Sequence, residues 1–95
     1  MRVDSHETKM LLGSLSNDLF RVANLAQRGS TQAAQRFLLE AKRWTGSLQT
    51  HNNPQYIANI INDISNRADS DISLESAEQY LMYGILLQNY TLHLK

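Results

Sequence analysis

Three histidines are the residues of this sequence best suited to bind a metal ion or to respond to mild acid. Imidazole coordinates zinc and changes its charge near neutral pH. His6, His51 and His93 lie far apart along the 95-residue chain. They would meet only if four helices ran alternately up and down, because the three positions then fall at the same end. The alternative is that they are solvated residues at frayed helix ends, since metal ligation needs a specific geometry and supporting hydrogen bonds.

Several other residue patterns typical of catalytic or cofactor sites do not occur in the sequence. The chain has no cysteine, which excludes disulfides, thiolate metal sites and cysteine nucleophiles. No histidine has a glutamate three residues before it, which disfavours a di-iron bundle, and there is no G-x-S-x-G nucleophile elbow. The four glycines are isolated, so no phosphate-binding loop is present. We therefore predict a protein that is not an enzyme and needs no cofactor.

The charge balance and the apolar runs argue against nucleic acid and membrane as partners. Nine Lys and Arg residues match nine Asp and Glu residues, so the formal charge is zero. Nucleic-acid binding would require Arg21, Arg28, Arg36 and Arg43 to converge on one surface, because phosphate contacts need clustered positive charge. The longest apolar run, residues 80–87, is too short to span a bilayer. The chain begins with polar residues instead of an apolar signal, which favours the cytoplasm.

Start and stop residues divide the chain into four helical segments. Asp4 and Glu7 resemble a capping box, and Gly29 suits the left-handed residue after a helix. Asn53-Pro54 is typical of a helix start, and Ser73 is a further N-cap candidate. We predict one domain over residues 1–95, with helices at roughly 5–28, 31–50, 54–68 and 74–94.

Each segment carries apolar residues at helical spacing, which predicts an all-α fold. In the second segment the stripe includes Phe37 and Trp44, so Trp44 is expected to pack in the core. Short loops favour antiparallel neighbours. The sequence therefore predicts an antiparallel up-down-up-down four-helix bundle.

The fourth segment has two apolar stripes where one groove of a small bundle would need only one. We assign the interior to Leu74, Ala77, Leu81, Ile85 and Leu92. The second stripe lies on an adjacent face and consists of Tyr80, Tyr83, Leu87, Tyr90 and Leu94. We predict that this stripe contacts another copy of the chain, because tyrosines bury a large ring and keep a polar hydroxyl. The alternative is that both stripes belong to the core of one molecule.

Together these patterns predict an adaptor or regulatory module that self-associates as a homodimer through its C-terminal helix, with an unidentified protein as a possible further partner. A small-ligand or metal-binding bundle, with a pocket between helices or at the histidine end, is the alternative. An enclosed cavity with converging polar groups would favour that alternative.

Overall fold

The computed structural model describes residues 5–94, with the backbone alone for Ser5. It contains four α-helices: α1 (Ser5–Gln27), α2 (Thr31–Leu48), α3 (Gln55–Asn66) and α4 (Leu74–Leu92). Each boundary lies within two residues of the predicted one, which is the usual uncertainty of helix ends. The predicted Asp4–Glu7 capping box includes Asp4, which lies outside the described residues.

The residues between the helices end one helix and begin the next as the sequence predicts. Gly29 has φ of 80°, the left-handed conformation that a side chain disfavours. The Ser73 side chain caps α4 by accepting a hydrogen bond from the Ser76 N–H at 3.1 Å. Pro54 is the N-cap of α3, so this helix begins at Gln55, one residue after the predicted start at 54.

Contacts between helices confirm the antiparallel bundle. Thr8, near the start of α1, lies 2.6 Å from His51 beyond the end of α2, measured from Oγ1 to Nδ1. In the other half, Arg67 at the end of α3 contacts Gln79 near the start of α4, and Tyr56 contacts Tyr90. Helices α1 and α2 therefore run in opposite directions, as do α3 and α4.

The core is centred on α1, which packs against both α2 and α4. Leu12, Leu15, Leu19 and Val22 of α1 have no exposed surface. They meet apolar residues of the other three helices, among them Leu38, Ile57, Ile64 and Leu87. Trp44 is half-buried and packs against this core, as predicted.

The molecule is elongated, with principal dimensions of 42 × 21 × 19 Å. Within residues 5–94, no helix has an apolar stretch long enough to cross a bilayer.

Candidate functional site

The two apolar stripes of α4 are oriented opposite to our prediction. Tyr80 and Leu87, which we predicted to face a second molecule, have no exposed surface. The other members of that stripe, Tyr83, Tyr90 and Leu94, are half-buried and pack against the core. The orientation assigned from the sequence is therefore wrong, and this stripe joins α4 to its own bundle.

Small side chains explain which side of α4 faces the core. Ala77, Gly84 and Thr91 recur every seven residues, and all three are buried. Gly84 lies directly against α1, where its carbonyl oxygen accepts a hydrogen bond from Ser16 Oγ at 2.7 Å. A Cβ at Gly84 would lie 2.8 Å from the Phe20 ring. A stripe of small residues lets two helix backbones approach closely, so this side of α4 faces inward.

The opposite side of α4 forms an exposed apolar surface, which we call the α4 outer face. Within α4, six large apolar side chains are between 39% and 71% exposed: Leu74, Leu81, Met82, Ile85, Leu86 and Leu92. Four of these residues belong to the stripe that we predicted to face the interior, and of that stripe only Ala77 is buried. Met82 and Leu86 belong to neither predicted stripe, and each directly follows an exposed residue of this face, Leu81 or Ile85.

The side of α4 that faces α3 is held by a cluster of polar side chains centred on Arg67. The Arg67 guanidinium donates hydrogen bonds to Asp63 at 2.9 Å, to Asp71 at 3.4 Å and to Gln79. It also lies 4.8 Å from the centroid of the Tyr80 ring, a cation–π contact. Arg67 thereby joins α3, the following loop and α4. We did not predict this cluster. The four-residue spacing of Asp63, Arg67 and Asp71 is visible in the sequence, but the contacts of Arg67 with Gln79 and Tyr80 depend on how α4 packs.

The hydroxyl groups of two α4 tyrosines are used inside this cluster. Tyr83 donates a hydrogen bond to Asp63, and Tyr80 donates to the carbonyl oxygen of Asp71. Burial alone would raise the pKa of Asp63, but the hydrogen bonds from Arg67 and Tyr83 outweigh it and hold this pKa below its usual value. Burial, reinforced by the neighbouring Asp63, raises the pKa of Tyr83. Near neutral pH, Asp63 is therefore charged and the Tyr83 hydroxyl is protonated, as the hydrogen bond between them requires.

A buried carboxylate, Asp18, joins α1 to α2. Asp18 accepts hydrogen bonds from Trp44 Nε1 at 2.8 Å and from Arg21 at 3.3 Å. Burial raises the pKa of Asp18, although the hydrogen bond from Trp44 acts in the opposite direction. Arg21 also lies over the Phe37 ring at 5.3 Å. Arg21 thus has protein partners instead of standing free for a phosphate group.

The structure does not assemble the three histidines into a metal site. His51 contacts Thr8, whereas His6 and His93 are exposed. In the part of the chain that the structure describes, which includes all three, no group of three His, Asp or Glu residues could hold a metal ion.

One cleft lies on the surface of α2. It is lined by Glu40, Arg43, Trp44 and Ser47 and has a volume of about 220 Å³. This volume is below the roughly 300 to 1,000 Å³ of most small-molecule sites. The cleft offers two opposite charges beside an indole ring.

Comparisons of this chain with protein-family models, with curated proteins and with solved structures find no match.

Proposed function

We propose that this protein is a non-enzymatic interaction module, of the adaptor or regulatory kind, that self-associates through α4. The observation that carries the proposal is the α4 outer face, with its six exposed apolar side chains. Monomeric soluble proteins rarely expose contiguous apolar patches larger than a few hundred Å², and larger patches usually mark interaction sites. The surface that makes the contact differs from the one predicted from sequence, but it lies on the same helix.

A second copy of the chain is the occupant that fits this face best. Leu74, Leu81, Ile85 and Leu92 recur at the spacing of a helix–helix seam. Glu75 and Glu78 lie toward one end of the face and His93 toward the other. An antiparallel two-fold arrangement would place these opposite ends beside each other, and closed two-fold dimers are the commonest oligomers.

The use of the acidic side chains also supports a binding role over catalysis. Asp63 and Asp71 are engaged by Arg67, and Asp18 is engaged by Trp44 and Arg21. A general acid or base must be free to reach a substrate. These carboxylates instead join helices of the bundle. The cytoplasmic location and the lack of enzymatic activity stay predictions.

Light scattering coupled to gel filtration, over about 1 to 100 μM protein, tests the proposal. We expect a dimer for the wild-type chain and a monomer for Ile85→Glu, because a carboxylate in an apolar seam costs several kcal/mol if left unpaired. Leu39→Glu is the matched control: Leu39 is 43% exposed and Ile85 46%, but Leu39 lies on α2. A wild-type chain that stays monomeric throughout this range would refute self-association.

The alternative function, small-ligand binding, is favoured by a different observation, the cleft beside Trp44. Its lining would suit a small zwitterion, with Arg43 and Glu40 as counter-charges. We rank this function second because the cleft is small. Binding would change the fluorescence of Trp44, the only tryptophan in the chain, and an unchanged spectrum across a panel of amino acids would eliminate it.

A further inference from the structure

The α4 outer face has the same order of polar and apolar residues when read from either end. Its central row advances by alternating steps of four and three residues, which keeps it on one stripe of the helix. The order is apolar, polar, apolar, apolar, polar, apolar. All members of the row are exposed: Leu74, Glu78, Leu81, Ile85, Gln88 and Leu92.

A second exposed row lies beside the first and has the same symmetry. It consists of Glu75, Met82, Leu86 and His93. Two apolar residues form its middle, and its ends carry an acidic group and an imidazole that can donate a hydrogen bond to a carboxylate. The central row is centred on position 83 and the second row on position 84.

From this symmetry, and resting on the proposed self-association, we propose that two copies pair α4 against α4 in antiparallel orientation. The two-fold axis passes between Leu81 and Ile85. In this register Leu81 packs against Ile85 of the second copy, and Leu74 packs against Leu92 of the second copy. Every apolar residue of the central row then meets an apolar residue.

The polar residues are also matched in this register. Glu78 lies opposite Gln88 of the second copy, so the amide can donate a hydrogen bond to the carboxylate. The second row is centred one residue further along the helix. Met82 is therefore displaced by two residues, or about 3 Å, from the level of Leu86 of the second copy, and Glu75 is displaced equally from His93 of the second copy, which keeps both pairs within side-chain reach. Parallel pairing would instead place Glu78 of the central row opposite its own copy, where like charges repel. The distribution of charge therefore selects the antiparallel arrangement.

The length of the contact is set by the helix. Eighteen residues separate Leu74 from Leu92, which corresponds to about 27 Å at 1.5 Å per residue. The two apolar end pairs and the central pairs are thus distributed along the whole of α4.

Single-cysteine cross-linking tests the orientation, because the natural chain has no cysteine. Leu74→Cys and Leu92→Cys are prepared separately, mixed in equal amounts and oxidised under mild conditions. Both positions are strongly exposed, at 66% and 71%, so the bundle should tolerate them. Non-reducing electrophoresis and mass spectrometry then identify the disulfides. Met10→Cys, exposed on α1, is the control for random collision.

We expect the mixed 74–92 disulfide to exceed the half share of product that random pairing would give, and each variant alone to cross-link no more than the control. A dimer by light scattering that yields 74–74 and 92–92 disulfides would overturn the antiparallel register and leave self-association standing. A dimer that yields no disulfide above the control would also overturn the register. A monomer at every concentration would overturn both proposals.

Discussion

At the scale of single residues, the half-buried Asp63 and the buried Asp18 have pKa values shifted in opposite directions. Asp63 is held charged by Arg67 and Tyr83, and its pKa lies below the ordinary value of 3.8. Asp18 lies in a more apolar environment, and burial raises its pKa above 3.8 despite the hydrogen bond from Trp44. Since a pKa shift is a contribution to the free energy of unfolding, the two residues respond to acid with opposite signs.

We predict that asparagine substitutions separate these two responses. Asp63→Asn should lower the free energy of unfolding at pH 7 by about 1 kcal/mol, because the substitution removes a charge-assisted hydrogen bond that is partly exposed. The stability that charged Asp63 contributes is present above pH 3.8 and is lost as the pH falls through its lowered pKa. The deficit of the variant should therefore shrink in acid, as measured by urea denaturation between pH 3 and 7.

Asp18→Asn should show the reverse. The raised pKa means that the contribution of Asp18 is favourable below pH 3.8 and is lost as the pH rises through the folded-state value. Asparagine keeps an acceptor for Trp44 Nε1 without the buried charge, so the variant should be more stable than wild type at pH 7. That advantage should disappear as the pH falls. Stability curves of the two variants that run parallel to the wild-type curve would contradict these assignments.

At the scale of helices, the close contact between α1 and α4 decides how α4 is oriented. The hydrogen bond from Ser16 to the Gly84 carbonyl fixes the two backbones near each other, and the Phe20 ring fills the space that a side chain at Gly84 would need. Glycine inside a helix ordinarily costs about 1 kcal/mol relative to alanine. Here the absence of a side chain at Gly84 offsets that cost, because it lets α4 pack closely against α1, the central helix of the bundle.

We predict that alanine substitutions at two glycines have opposite effects. Gly13→Ala, with no atom within 4 Å of the new Cβ, should stabilise the protein by about 0.5 to 1 kcal/mol through helix propensity. Gly84→Ala brings the same gain in helix propensity, but overpacking against Phe20 costs about 1 to 3 kcal/mol. The net effect should be a destabilisation of about 1 kcal/mol. Chemical denaturation measures both changes.

A shorter side chain at position 20 supplies the control for this prediction. The double variant Phe20→Leu with Gly84→Ala should lose less stability than the sum of the single variants, because leucine leaves room for the methyl group. Additive effects would show that Phe20 does not limit the space at Gly84.

At the scale of the whole molecule, an elongated bundle exposes one apolar side along α4. The core is built around α1, with α2 and α4 packed on it, and nothing in the described part of the chain covers the α4 outer face. A chain of this size buries only about 60 to 65% of the surface of its unfolded form, so its stability as a single copy is limited. Self-association would add buried apolar area where the bundle has most to gain.

Thermal unfolding should therefore depend on protein concentration. A folded dimer that unfolds to separate chains is stabilised by mass action, so Tm should rise between about 1 and 100 μM. Ile85→Glu should abolish this rise, whereas Leu39→Glu should preserve it. Circular dichroism at several concentrations measures Tm, and a wild-type Tm that does not change with concentration would count against a coupled dimer.

The sequence was sufficient to predict the helices and the bundle, because their signals are local. Gly29 and Ser73 act on the backbone of their own neighbourhood, and apolar spacing fixes which residues share a helix face. The predicted boundaries and the antiparallel order were therefore close to the structure.

Only the tertiary structure decided which face of α4 points inward and which residues surround Arg67. Both stripes of α4 are strongly apolar, so hydrophobicity alone does not rank them. The choice depends on how closely α1 approaches Gly84, a contact between residues 68 positions apart. Arg67 likewise acquires Gln79 and its aromatic neighbours only when α3 and α4 are brought together, whereas Asp63 and Asp71 lie four residues from it in the chain. Packing between distant segments, which no local pattern encodes, thus determined the surface that this protein presents.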